Sequence, residues 1–422
     1  MFQFIHAADL HLDSPLHGLD QYEGAPVEAI RQATRRALEN LVQLAIDEKV
    51  AFVVIAGDVY DGDWRDYNTG LFFNKQMARL HAQAIDVYLI SGNHDAQSVI
   101  SRSLSQPDNV RVFATNRPET HIHEPTRTAI HGQGFATKAV LDDLSLNYPA
   151  PLSGHFNLGI LHTCAAGLEG HDLYAPCTVD GLRRLGYDYW ALGHIHLRQF
   201  LSESDPIIAF SGNIQGRHIR ETGPKGCLLV RVEQDRPATS FRPLDVFRWH
   251  LCEVDLAHCQ SEEDSLREAV DEISAAQEQA DGRPLAVRVQ LSGATPLHET
   301  LLTSRAHWEN ELRARVTHES REAVWIEKVR FATQPPPAAD AAWGEGPLEE
   351  IRQLIAEINQ ETEFQKELAD ELNPLHKRLP PDVRDALLAD FPDPPSLLQG
   401  SWFETIRSEA GQMLLGELTP KK

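Results

Sequence analysis

Five short apolar runs, each broken off by residue types that bind metal ions, constrain this chain more than any other feature in it. Phe2 to Ala8 runs into Asp9-Leu10-His11, and Phe52 to Ala56 into Gly57-Asp58-Val59-Tyr60-Asp61. Val87 to Ile90 leads to Gly92-Asn93-His94-Asp95, Phe156 to Leu161 to His162-Thr163, and Tyr189 to Leu192 to Gly193-His194-Ile195-His196. A short apolar run bounded by glycine or polar residues reads as a buried strand. Strands that alternate with helical stretches pair in parallel through right-handed crossovers, and such sheets carry their chemistry at the carboxyl ends of the strands. One histidine after a strand is commonplace. Five strand ends loaded with Asp, Asn or His describe a site.

Oxygen and imidazole ligands without thiolates suit a hard or borderline divalent ion such as Mn, Fe or Zn, and not a closed structural zinc. Asp58, at the end of the second run, is expected to bridge two such ions. Held about 3.5–4 Å apart, a pair of this kind serves phosphoester hydrolysis. His94 stands beside the ligand candidate Asn93 and would face the leaving-group oxygen, as general acid or charge stabiliser. Asp61 is placed to orient that imidazole and raise its pKa.

With 422 residues the chain exceeds one typical domain, and two or three are expected. We divide it into a section over 1–240 that carries the five strand ends, a small α+β capping domain over 241–333, a proline-rich linker over 334–346 and a helical region over 347–422. In the first section helices are predicted at about Pro26 to Glu48, Asp66 to Ala82 and Lys138 to Leu146. Val110 to Phe113 is read as an antiparallel edge strand. Further strands are predicted at Arg198 to Leu201, Ile207 to Phe210 and Cys227 to Val232. The capping domain should hold strands Phe247 to Val254, Leu285 to Leu291 and Val324 to Phe331, with helices Glu262 to Gln279 and Pro296 to Arg315. Leu348, Ile351, Leu354, Ile355 and Ile358 recur at helical spacing beyond the linker.

The formal net charge of -23 excludes bulk attraction to nucleic acid, so any phosphate-binding surface must be a local patch. Arg217, His218 and Arg220 are the candidates for such a patch, with ion pairing to the acidic excess as the competing reading. Arg31, Arg35 and Arg36 read as a solvated helix face. No apolar run approaches the roughly 20 residues needed to span a bilayer, and the first residues show no signal peptide. The five cysteines form no CxxC pair. A reducing, cytoplasmic setting is expected.

Taken in order, DxH, GDxxD, GNHD, an isolated His and GHxH resemble the motif set of the calcineurin-like metallophosphoesterases. The stretches Asp9-Leu10-His11-Leu12-Asp13-Ser14-Pro15 and Ser211 to Glu221, with Lys225-Gly226, make the chain most similar to the SbcD-type DNA repair exonucleases, in particular the bacterial YhaO group. That resemblance covers roughly residues 1–235. It implies a two-layered β-sheet core flanked by helices, within the α/β class, followed by the capping domain and the C-terminal helical extension. It implies that Asp9, His11, Asp58 and His196 hold one ion and that Asp58, Asn93, His162 and His194 hold the other. His94 would be the catalytic histidine, and the ions are usually manganese in the nuclease branch, with Mg, Fe or Zn as alternatives. Where archaeal and eukaryotic relatives carry a histidine after GDxx, this chain has Asp61, an arrangement also seen in phosphatases.

The resemblance points to DNA as substrate, with digestion from an end or internally, in DNA repair. It also points to an SMC-like ATPase partner docking on the C-terminal helices and to a possible homodimer. A phosphatase or small-molecule phosphodiesterase is the alternative. Against a protein phosphatase, the Arg-Gly that usually follows GDxxD is here Gly62-Asp63.

Overall fold

The structure is a computed structural model that describes residues 1–14, 30, 32–61, 67–97, 106–165, 174–321, 323–336 and the single positions 350 and 354. The expected C-terminal helices, most of the proline-rich linker, the first turns of the helix from Pro26, Arg31 and the Gly62-Asp63 pair lie outside the described residues.

Strands β1 (Phe2–Ala7), β2 (Phe52–Ile55), β3 (Asp86–Leu89) and β4 (Val110–Val112) pair in parallel in that order. The central strand β2, Phe-Val-Val-Ile, is apolar throughout and fully buried because both of its faces are covered. On the outer face, Ile5, Val53, Ile55 and Val87 pack against helices α1 (Ala33–Asp47) and α2 (Tyr67–His81). Ala33, Ala37, Leu38, Leu41 and Ala45 supply the buried stripe of α1. On the other side of β1, β11 (Gly226–Glu233) and β12 (Arg236–Pro243) add antiparallel strands.

The second sheet has its own parallel centre. β6 (Thr128–Gly132), β7 (Phe156–His162), β8 (Tyr189–Gly193) and β10 (Ile207–Phe210) run in parallel, edged by antiparallel β5 (Glu119–His123) and β9 (Gln199–Ser202). Helix α3 (Val179–Arg184) lies between β7 and β8 in sequence, with Leu182 packing under Trp190 and Phe210. The two sheets meet through Phe4, Phe52, Tyr88, Phe156, Leu158 and Tyr189. Phe4 stacks on Phe52 with ring centroids 5.0 Å apart and meets Tyr189 edge-on at 5.5 Å.

Three expectations are corrected here, and one strand is added. The helix expected over Lys138 to Leu146 is a single 3-10 turn, Leu144–Asn147, which starts only at its cap: Asp143 is extended and its carboxylate accepts from the Ser145 backbone N–H at 2.9 Å and hydroxyl at 2.5 Å. The Val110 piece is an edge strand, but parallel to β3, since a crossover and not a hairpin precedes it. The helix expected over Pro296 to Arg315 breaks at Ser304 into α5 (His298–Thr303) and α6 (Arg305–Ser320). β12 was not anticipated. Its hairpin turns through Gln234 and Asp235, at φ 50° and 61°, without the Asn-Gly or Asp-Gly pair that usually announces such a turn.

A third sheet of β13 (Arg248–Asp255), β14 (Leu285–Ser292) and β15 (Val324–Phe331) is wholly parallel, with α4 (Glu262–Glu278) and α6 on one face. Its other face turns Trp249, Ala286 and Trp325 toward Ile30, Ala33, Phe247 and Ile219. That contact reaches the loop between β10 and β11, which borders the candidate site.

Candidate metal centre

Parallel pairing brings the carboxyl ends of β1, β2 and β3 together and sets them opposite those of β7 and β8. The loops after β1 and β2 are then zipped by backbone bonds: Asp9 N–H donates to Gly57 O at 3.0 Å, His11 N–H to Asp58 O at 3.0 Å and Leu12 N–H to Val59 O at 2.9 Å. Asp9, His11, Asp58 and His194 take left-handed backbone angles, with φ of 53°, 43°, 53° and 98°. Each such residue costs on the order of 1–3 kcal/mol and persists where its surroundings over-determine it. Gly92 allows the loop after β3 to close in, since a Cβ there would lie 2.2 Å from Asp58 Oδ1.

Among the described residues, three overlapping groups present ligand atoms within 4.8 Å of one another: Asp9, His11 and His196; Asp9, Asp58 and His162; and His11, Asp58 and His94. Asn93 joins the second group, its Oδ1 2.9 Å from His162 Nε2. His194 is tied in through its backbone N–H, which donates to both Asp9 oxygens at 3.0 and 3.1 Å, and its ring meets that of His162 at 5.2 Å. All seven ligand candidates from the sequence therefore gather at one place.

The donor set fits divalent ions. His162 Nδ1 donates to Ala56 O at 2.9 Å, so Nε2 is the atom turned toward Asp58 Oδ2, 3.4 Å away, and Asn93 Oδ1. Burial alone would lower the His162 pKa, but Asp58 outweighs it and raises it to about 9. The acceptors there draw positive charge, which a divalent ion supplies in place of the proton. Burial raises the Asp58 pKa, yet His162 and His94 overcome it and hold the carboxyl below the usual range. At the other group, His196 Nδ1 donates to Glu221 Oε1 at 2.6 Å, which leaves Nε2 facing His11 Nε2 at 3.2 Å. Burial, then Arg217 and His196, keeps His11 neutral, the state in which imidazole binds metal.

His94 sits at the rim with its side chain 35% exposed, and its Nδ1 lies 2.7 Å from Asp61 Oδ1. Burial lowers its pKa, but the bond to Asp61 and the charge of Asp58 raise it overall. Asp61 moves the other way: burial raises it, while His94 and Arg217 hold it below its ordinary value. Ser14 donates its hydroxyl to Asp61 Oδ2, and Arg217 approaches the same oxygen at 3.6 Å.

Two residues that matter here were not singled out from the sequence. Asp95 accepts from the backbone N–H groups of Val59, Tyr60 and Gly92 at 3.2, 2.9 and 3.1 Å, tethering the loops after β2 and β3. Its place directly after Asn93-His94 was a usable signal. Glu221 orients His196 across 25 residues, a pairing no local spacing announces.

The three candidates for phosphate contact divide. Arg217 lies inward between Asp61 and Glu221, and His218 Nε2 faces Glu221 Oε1 at 3.4 Å. Arg220 is exposed. The solvated-face reading of Arg35 is corrected: its guanidinium pairs with Asp13 at 2.5 Å and lies over the Phe72 ring, whereas Arg36 is exposed. No helix among the described residues is long and apolar enough to cross a membrane.

Known proteins resemble parts of this chain. The calcineurin-like phosphoesterase family matches residues 2–198, and the middle domain of metallophosphoesterase YhaO matches residues 249–334. The uncharacterized metallophosphoesterase YhaO of Bacillus subtilis is 36% identical over 296 residues, which is 69% of this chain and 72% of that protein. The DNA double-strand break repair protein Mre11 of Saccharolobus solfataricus is 26% identical over 254 residues, covering 57% of this chain and 63% of its own. Among solved structures, a dimetal phosphatase from Danio rerio aligns with 58% of this chain and 96% of its own at 14% identity and a TM-score of 0.36.

Proposed function

The chain belongs to the calcineurin-like metallophosphoesterases and to their YhaO group, a phosphoester hydrolase family, and from that premise we propose that it is a two-metal phosphodiesterase acting on DNA. The observation that carries the reading is the His94–Asp61 pair at the rim of a converging ligand set. Asp9, His11, Asp58 and His196 would hold one ion, and Asp58, Asn93, His162 and His194 the other. Bound divalent ions, manganese in the first instance, would lower the pKa of a water in the site and neutralise charge on the phosphoryl oxygens.

His94 does the proton work. With Nδ1 bonded to Asp61, the ring's remaining nitrogen, Nε2, delivers the proton to the leaving ester oxygen. Asp61 fixes the tautomer and stabilises the imidazolium before transfer. Support for DNA as the substrate comes from the similarity to Mre11, and Arg220, on the same loop as Arg217 and Glu221, is an exposed cation. In the same reading, the region over 347–422 docks an SMC-like ATPase and the chain can pair as a homodimer.

The test is nucleotide release from linear duplex DNA with manganese or magnesium, for the wild type and for His94→Ala. Manganese-dependent digestion is expected, with turnover reduced about 10²–10⁴-fold in the variant, the range for losing a general acid. Intact DNA alongside cleavage of an activated aryl phosphodiester would overturn the DNA assignment and leave the hydrolase one standing.

A further inference from the structure

The loop between β10 and β11 grips one ligand, His196, from both sides. Glu221, 5% exposed, sits at its centre. Its Oε1 accepts from His196 Nδ1 at 2.6 Å and faces Arg217 and His218, each at 3.4 Å. Its Oε2 accepts from Asn213 Nδ2 at 2.9 Å and from the Arg217 backbone N–H at 2.7 Å. The backbone carbonyl of His196 is held as well, by Lys225 Nζ at 3.1 Å and the Asn213 N–H at 3.4 Å.

The loop is itself fastened to the third sheet and the segment leading into it. The Gln215 side chain donates to Phe247 O and accepts from the Val246 N–H, both at 2.9 Å. Trp249 Nε1–H donates to Gly216 O at 3.2 Å, and Trp249 O accepts from Gly223 N–H at 3.2 Å. A Cβ on Gly216 would lie 2.7 Å from Glu221 O, so the loop closes over Glu221 only with glycine there. These bonds leave the Glu221 carboxylate little freedom to turn away from His196.

We propose that Glu221 is a positioning residue for the metal centre: it fixes the tautomer and aim of His196, so that Nε2 is presented to the ion that this histidine ligates. The proposal rests on the metal-centre reading. A carboxylate behind a metal-bound imidazole raises its basicity and locks its orientation, and removing such a partner costs 10–100-fold in metal affinity.

The experiment is calorimetric titration of manganese into the metal-free full chain, for the wild type, Glu221→Gln and Glu221→Asp, with thermal unfolding of each metal-free protein alongside. The wild type should take up two ions. Glu221→Gln should weaken one of them 10–100-fold and leave the other within a few-fold, and Glu221→Asp should recover part of the loss. Two unchanged sites in Glu221→Gln would overturn the proposal. So would equal weakening of both sites with a lowered unfolding midpoint in both variants, the mark of a structural role. A wild type that bound no manganese would instead overturn the metal-centre reading, before any substitution was made.

Discussion

The two halves of the metal centre are built by different means. Asp9, His11, Asp58 and His94 are set by main chain: loops after β1 and β2 hydrogen-bond to each other, and the His94 N–H donates to Asp58 Oδ1 at 3.0 Å. His162 and His196 are aimed by partners distant in sequence, Ala56 O for the first and Glu221 for the second. Main-chain positioning leaves little room for adjustment, because moving one ligand moves its neighbours. Side-chain positioning fails in steps, one ligand at a time.

Gly92→Ala is the hardest blow to the first kind of positioning. The added methyl would fall 2.2 Å from Asp58 Oδ1 and 2.8 Å from His162 Cε1, inside the space of both side chains. We expect manganese affinity to fall more than 100-fold at both ions together, with an overpacking cost of about 1–3 kcal/mol in stability. Titration and thermal unfolding measure the two effects. If Gly92→Ala bound both ions like the wild type, the contrast between the halves would collapse.

The same contrast explains what could be read in the sequence. Asp9-Leu10-His11, Gly57-Asp58 and Gly92-Asn93-His94-Asp95 are compact because a tight turn at a strand end must supply ligand and backbone angle within a few residues. The parallel strands behind them were legible as apolar runs covered on both faces. Glu221 was not legible as a positioning residue, since its bond to His196 depends on where a whole loop comes to rest. Arg217, offered from the sequence as a phosphate contact, could have turned either way. The carboxylates of Asp61 and Glu221, set on two different loops, turn it inward. The helix expected from Lys138 is replaced by a turn that starts only at Leu144, where Asp143 in extended backbone caps it.

Below the centre, His6 ties the halves together at strand level. From β1 its ring reaches Tyr189 Oη at 3.0 Å and Leu192 O at 3.1 Å, both on β8. Complete burial lowers its pKa from 6.5 to about 4, only partly opposed by the bond to Leu192 O. A histidine depressed in the folded state contributes stability that is fully present above pH 6.5. The unfolded chain binds the proton first as pH falls, so the contribution is lost progressively toward pH 4. Between pH 7 and pH 5 the loss from this residue should be about 2 kcal/mol. Urea unfolding of the wild type and His6→Gln at both pH values isolates it: the variant should have the shallower pH dependence, and parallel slopes would remove His6 from the account.

The smallest effect expected falls on a side chain that touches both halves, Arg217. Arg217 faces Glu221 Oε1 at 3.4 Å on the side-chain-held half and Asp61 Oδ2 at 3.6 Å on the catalytic side. It faces the carboxylate bonded to His196 and the carboxylate bonded to His94. Replacing it by glutamine removes the charge facing Asp61 while Ser14 and His94 still hold that carboxylate. The expected loss is about tenfold in kcat, the lower end for partners one step removed from the chemistry. Because His94 matters only where the leaving oxygen needs a proton, the loss should be larger for DNA than for an aryl diester whose leaving group departs unaided. Manganese titration of Arg217→Gln should change by less than its turnover does, since Glu221 keeps its bonds to His196 and Asn213. Equal losses on both substrates, with one ion weakened in step, would move Arg217 wholly to the metal-holding half.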